Sequence, residues 1–305
     1  MKENNLLKSL QSVEKIALSS KIMRLWNNPY KYLLAMFHRK LVYPKTKKEK
    51  IVNTKLFYGR NMTIALPAST DIYLTGGKSH PSEIRLAKFI IRNLNNSNHF
   101  LDIGAHFGYF TLIASELVGE NGIVLSFEPT GKSYELLQEN IAGLRNIITQ
   151  QKAISNSLEP IIFYEFPNLY SEYNTSDITQ FESKKWINNF KPTKVEVETT
   201  TIDTITKDGK FNPQIIKIDV EGAEYNVISG GLTFFKNYKP IIVMEYLEPK
   251  RKNETHKKAL DLLSSLGYNS YIIKNDGTIE PITKIDNYLN AEKLDSDNIV
   301  FKKEY

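Results

Sequence analysis

Two short stretches of this 305-residue chain hold residue types at spacings that could do chemistry. The first is Phe100-Leu-Asp-Ile-Gly-Ala-His-Phe-Gly-Tyr-Phe110, answered further on by Val124-Leu-Ser-Phe-Glu-Pro129. It reads as a buried strand, a Gly-containing turn, the first turn of a helix, and a second buried strand ending in a carboxylate. Where a parallel strand hands over to a helix, backbone N–H groups and the helix dipole gather at one point, which suits a charged nucleotide-like ligand. An acid at the end of the next strand is where such folds bind the two hydroxyls of a ribose, a role that falls here to Glu128. The second stretch is Ile216-Lys-Ile-Asp-Val-Glu-Gly-Ala-Glu224, a buried strand that ends in Asp219 and turns into a helix through Glu221 and Gly222.

The glycine spacing argues against a dinucleotide. A pyrophosphate-binding turn needs G-x-G-x-x-G, with its middle glycine admitting the phosphates. Gly104 and Gly108 are instead separated by Ala105, His106 and Phe107, and the third glycine is missing. Asp102 would repel pyrophosphate but suit an ammonium group. A cofactor with an amino-acid tail, a ribose and an adenine meets both conditions, and S-adenosylmethionine is that cofactor. The expected contacts are Asp102, Gly104, Ala105, His106, Gly108 and Tyr109 from the turn and helix start. Glu128 and Pro129, Ala153 after the following strand, and Asp219 complete the set. The plainer alternative is an ordinary strand–turn–helix with a packing glycine.

The elements that must position these residues follow from periodicity. From residue 99 onward, strands over 99–103, 123–128, 147–154, 214–219, 240–246, 268–274 and 297–303 alternate with helices near 107–118, 131–142, 222–230 and 254–266. Such alternation gives an α/β, doubly wound parallel sheet, and runs such as Ile215-Ile-Lys-Ile218 are apolar enough for strands covered on both faces. The last strand reads as an antiparallel insertion. In open sheets of this kind ligands bind beyond the carboxyl ends of the strands, so Asp102, Glu128, Asp219 and Glu245 should face one crevice. Glu224 reads as an exposed or capping residue near a helix start. Upstream, helical spacing covers about 6–24 and Tyr30 to about Leu41. Alternating strands around Gly59 occupy Ile51 to Leu74, and a lead-in helix covers about 81–94. The expected organisation is a basic aromatic helical extension over 1–50, a β-hairpin and lead-in helix over 51–98, and a catalytic domain over 99–305. Within that domain the polar, aromatic stretch 167–193, with Tyr170, Tyr173, Phe181 and Trp186, is expected to be a substrate lid or a surface excursion.

Composition narrows the classes. Without cysteine there are no disulfides, thiolate nucleophiles or Cys-based zinc sites. The N-terminal residues lack the continuous apolar core of a signal peptide and no run of about 18 apolar residues exists, so the expectation is a cytoplasmic protein. Residues 1–60 carry 14 Lys/Arg against 3 Asp/Glu, whereas the remainder carries 26 against 31. Basic character therefore belongs to the extension and not to the catalytic body, which argues against a nucleic-acid substrate.

The combination of DIGAHFGYF, FEP, KIDVEGAE and the late strand ending in Met244-Glu245 resembles the FkbM-type methyltransferases over roughly residues 56–303. The resemblance implies the seven-stranded class I methyltransferase (Rossmann-like) fold, S-adenosylmethionine as cofactor, and methylation of hydroxyl groups on sugars or polyketide-like natural products. A sugar or glycolipid hydroxyl of a surface polysaccharide is the expected acceptor. A nitrogen-directed enzyme would carry an Asn/Asp-Pro-Pro-Tyr/Phe box where this chain has Asp219-Val-Glu-Gly222. A non-catalytic module that binds a membrane or an acidic partner is the reading from another class.

A sugar hydroxyl needs help to lose its proton. Asp219 or Glu221 is the expected general base, with His106 as rival, although His106 could simply pack or bind the cofactor tail. Asp219 with Glu245 could instead hold Mg2+, since carboxylates suit a hard cation; with so few ligands in view, no metal site is assigned. In the extension, Trp26, Tyr30, Tyr32, Phe37 and Tyr43 are interleaved with Lys31, Arg39, Lys40 and Lys45. Residues 21–50 therefore either associate with the inner face of a membrane or dock their aromatic face on the catalytic domain or a second subunit.

Overall fold

The computed structural model describes residues 2–167, 175, 192–251 and 253–304. The chain opens with α1 (Lys2–Ala17), α2 (Lys21–Asn27) and α3 (Pro29–Phe37), then a π-helical turn over 38–42 and α4 (Tyr43–Thr46). The single helix expected over 6–24 is two, because Ser20 starts a new one by accepting the Met23 amide at 3.2 Å. Asn28 does the same for α3 toward Lys31, with Pro29 at the first helical position. A hairpin follows, β1 (Lys50–Lys55) against β2 (Asn61–Leu66), turning at Gly59. Beyond it the expected strand character stops at Leu66. Pro67 cannot donate to a ladder, and Asp71 accepts the amides of Ile72 and Ser79 inside a short helix, α5 (Thr70–Thr75). Then comes the lead-in helix α6 (Pro81–Asn93).

From there the alternation read in the sequence holds. β3 (His99–Ile103), α7 (Tyr109–Val118), β4 (Ile123–Phe127), α8 (Gly131–Ile141) and β5 (Ile147–Gln150) form one half of a sheet. The expected strand over 147–154 breaks after Gln150. Its end, β6 (Ala153–Ile154), leaves the sheet to pair with a later strand, and β7 (Ile161–Glu165) pairs antiparallel with β8 (Thr193–Val197). The partner of β6 is β9 (Thr199–Thr200), after which α9 (Ile202–Thr206) starts at Thr201, whose hydroxyl caps it by accepting the Thr204 amide at 3.0 Å. Tyr170, Tyr173, Phe181 and Trp186 lie outside the described residues. The second half of the sheet is β10 (Ile215–Ile218), α10 (Glu224–Ser229), α11 (Leu232–Asn237), β11 (Ile241–Leu247), α12 (Glu254–Ser265), β12 (Tyr268–Ile273), β13 (Ile279–Pro281), α13 (Ile285–Glu292) and β14 (Ser296–Lys303).

The order across the sheet is β13-β12-β14-β11-β10-β3-β4-β5. Strands β11, β10, β3, β4 and β5 are parallel, and β14 runs antiparallel between β11 and β12. This is the doubly wound class I methyltransferase sheet of seven strands, widened by the short edge strand β13. Connections leave β3 toward β5 on one side and β10 toward β11 on the other, so the topological switch point, where such sheets bind ligands, lies between β3 and β10.

Both faces are covered, which is why the central strands read as unbroken apolar runs. Phe100, Ile215 and Val243 pack with α1, α6 and α7, through residues such as Leu10, Ile90 and Leu112. Their neighbours Leu101, Ile216 and Ile242 point the other way, into Val227, Phe235 and Leu263 of α10, α11 and α12. Leu6, Leu10 and Val13 bury α1 in the same core as Phe107 and Tyr109, so the first helix of the basic extension is built into the catalytic body.

Candidate active site

The turn after β3 is fixed from two sides. The amides of Gly104 and Ala105 both donate to the Phe127 carbonyl at 3.0 Å, and the Asp219 amide donates to Ile103 at 3.0 Å. Gly104 has φ +78°, and a Cβ there would lie 1.8 Å from the Asp219 carbonyl oxygen. Only glycine lets β3 and β10 come this close.

Strand alternation sends Asp102 under this turn. It is fully buried, accepts the Thr111 hydroxyl at 2.7 Å, and lies 3.2 Å from the Lys217 ammonium. The ammonium group that Asp102 meets therefore belongs to the protein. Lys217 also donates to the Gly104 carbonyl at 3.0 Å and stands 3.3 Å from Asp219. Burial alone would lower its pKa, but Asp102 and Asp219 hold it above the ordinary lysine value. Ala105, Gly108 and Tyr109 likewise lie off the cavity: Ala105 is buried against β4, Gly108 starts α7, and Tyr109 packs in the core beside Phe110.

Gly104, His106, Glu128, Pro129, Ala153, Asp219 and Glu221 do come together, around a cavity of about 670 Å³ at the switch point. That volume suits a small-molecule or cofactor site. Glu128 directly follows β4 and is buried; one oxygen accepts the His106 amide at 2.8 Å and the other accepts the Thr130 amide and hydroxyl. A carboxylate offers about four acceptor positions, so one remains for a ligand hydroxyl. Burial pushes its pKa up, against the pull of those donors. Phe127, Ile154 and Ile103 give the cavity an apolar wall. An acid beside an apolar wall and a glycine turn is the donor set a nucleoside cofactor needs.

Across the cavity, Asp219, Glu221 and Glu245 each bring a carboxylate oxygen within 4.8 Å of the others. Glu221 sits on the strand-to-helix turn with φ +48°, and its carbonyl accepts the Thr175 hydroxyl, so one residue of the 167–193 stretch reaches the site. The three acids differ. Burial would raise Asp219, but Lys217 and Lys78 outweigh it and hold the carboxyl below its usual range. Burial, reinforced by Glu245 and Asp219, raises Glu221 well above it. Burial, then Asp219, pushes Glu245 up to about 7. His106 is driven down to about 3 by burial and by Lys78, so its imidazole is neutral at pH 7 and a weak base. Glu224, expected at the surface or as a cap, is buried: it accepts the Gly222 amide and pairs with His256 at 3.3 Å.

Part of the remaining wall comes from residues the sequence did not single out: Asp71, Lys78, His80 and Glu83, on α5 and around the start of α6. Lys78 is paired with Glu83 at 2.8 Å. Nothing in their spacing marks them. Lys217 did carry a signal, because a lone lysine in a strand covered on both faces must find a counter-charge.

A switch-point cavity with an acid directly after β4 and a glycine turn after β3 defines a nucleoside-cofactor α/β protein. The family described as the methyltransferase FkbM domain matches residues 102–270, and the chain belongs to that family, whose cofactor is S-adenosylmethionine. It is 27% identical over 165 residues to the methyltransferase sdnD of Sordaria araneosa, a match covering 46% of this chain and 62% of that protein's length. Among solved structures, methyltransferase FkbM from Methylobacillus flagellatus KT is similar at 14% identity, with 77% of this chain and 52% of that one covered and a TM-score of 0.43. A SAM-dependent O-methyltransferase from Thermotoga maritima is similar at 12% identity, with coverage of 84% and 78% and a TM-score of 0.42. Among the described residues, no helix is long and apolar enough to cross a membrane.

Proposed function

We propose that this chain methylates a hydroxyl group of a sugar, or of a sugar-like natural product. The observation behind this reading is the trio Asp219, Glu221 and Glu245, which sets a carboxyl titrating at about 7 beside an ionised one in the cavity. A hydroxyl acceptor must give up its proton as the methyl group arrives, and a base is most effective when its pKa lies near the working pH. Glu245 meets that condition. His106 does not, and it serves instead through its backbone amide, which fixes Glu128.

Bound S-adenosylmethionine supplies an electrophilic methyl group on a sulfonium. Gly104, His106, Glu128, Pro129 and Ala153 line the part of the cavity that would hold it. The acids and the Asp71–Glu83 segment then line the acceptor side, where polar side chains can orient a polyol and bring one oxygen in line. A second reading has one specific support: three converging carboxylates are also the donor set of a hard divalent cation, which would acidify the hydroxyl in place of a base.

The test is to incubate the full chain with methyl-labelled S-adenosylmethionine and glycan and lipid-linked sugar fractions, then locate the label by mass spectrometry. Label on a sugar oxygen is expected. Label on nitrogen or carbon, or cofactor binding with no transfer to any fraction, would overturn the proposal.

A further inference from the structure

Helix α3 is apolar on both sides: Leu34 and Met36 pack against the core, while a second apolar face is left exposed. Its inward side carries a lysine: Lys31 donates to the Thr54 hydroxyl at 2.9 Å and to the Tyr73 carbonyl at 3.2 Å, with its ammonium over the Tyr73 ring. Ala35 and the following His38 are buried beside it. Its outward side carries Tyr30, Leu33 and Phe37, continued by Leu41, and these are exposed. The preceding helix α2 has no buried residue at all, and Ile22, Met23 and Trp26 share one exposed face of it. Trp26 is 78% exposed and Tyr30 74%. A helix that packs on a domain normally turns apolar residues inward and cations outward. Here Leu34 and Met36 dock on the catalytic domain and Tyr43 is buried, whereas Trp26, Tyr30, Leu33, Phe37 and Leu41 are left outside.

Charge identifies what covers this face. Between Glu14 and Glu49 the chain has nine Lys/Arg and no Asp/Glu. Lys21, Arg39, Lys40 and Lys45 are exposed alongside the apolar residues. A second copy meeting this patch through a two-fold axis would set like charges against each other with no acid to offset them. An anionic lipid surface accepts both components: aromatic and aliphatic side chains enter the headgroup–acyl boundary, and basic neighbours are drawn to the negative surface potential. We infer that α2, α3 and the turn after them form a peripheral docking surface for an anionic membrane.

Flotation of the full chain with vesicles tests this. With phosphatidylcholine vesicles containing phosphatidylglycerol, the protein should float at low salt and be released as salt rises. Phosphatidylcholine alone should retain much less. The double variants Trp26→Ser/Phe37→Ser and Arg39→Glu/Lys40→Glu should each lower the vesicle partition coefficient by about tenfold or more. Because these side chains are exposed, both variants should melt as the parent does. Failure to float with anionic vesicles at low salt, equal binding to neutral vesicles, or unchanged binding by both variants would overturn the inference. So would a dimer in sedimentation that the Trp26 variant abolishes, which would make a second copy the occupant.

Discussion

Lys217 stands 3.3 Å from Asp219 at the cavity and, on its other side, 3.2 Å from the fully buried Asp102. One ammonium therefore neutralises a structural acid and keeps a cavity acid ionised, while bonding the carbonyl of the glycine turn. Replacing it with methionine leaves Asp102 as an unpaired buried charge, and a loss of about 3–5 kcal/mol of stability is expected. Adding Asp102→Leu should recover much of that loss in denaturant titrations. If the single variant unfolds at the parent's midpoint, the pair has no structural role.

Glu128 is expected to be the ribose ligand. Glu128→Ala should weaken S-adenosylmethionine binding by about 1.5–3 kcal/mol, the range for hydrogen bonds to charged groups. Titration calorimetry reads this directly, and unchanged affinity would remove Glu128 from the cofactor site.

Glu221→Gln and Glu245→Gln should bind cofactor like the parent yet turn over more slowly, on the order of 10²–10⁴-fold for a lost general base. Chelation separates the two readings of this acid trio. Activity that survives EDTA supports the base, whereas activity lost to EDTA and restored by Mg2+ supports the cation.

Glu245 also makes stability depend on pH. Its carboxyl titrates at about 7 when folded, against an ordinary value of 4.5. Between those limits the folded chain binds more protons than the unfolded one, so this group's contribution, complete at low pH, is lost as pH rises toward 7. Glu245→Gln should flatten the fall in Tm between pH 5 and pH 8, leaving the part due to Glu221. Parallel Tm curves for the two proteins would show that Glu245 is not raised.

Much of this architecture is legible in the amino-acid sequence. The main-sheet strands β3, β4, β5, β10, β11, β12 and β14 are marked by apolar runs broken by Gly and by acids at strand ends, a pattern that backbone sterics and two-sided burial impose directly, whereas the short edge strand β13 carries no such mark. What escaped was set by partners distant in sequence. The break after Gln150 depends on Ala153 and Ile154 finding Thr199 and Thr200. The cavity wall at Lys78 and Glu83 depends on how α6 meets the sheet, which leaves no local mark. Asp102 shows the opposite failure: its place in the motif was plain, but strand alternation turns it toward Lys217 and away from the cavity.

The antiparallel strand β14 sets the order in which this sheet can be assembled. β12 touches the rest of the sheet only through β14, which is synthesised after it. The β12–β13 hairpin can close locally as soon as it emerges. It must then wait, with the edge of β11 open beside it, until residues 296–303 arrive to join them. During that interval β11 and β12 each present an unpaired edge that the finished sheet closes, which leaves the chain open to aggregation and to capture by chaperones.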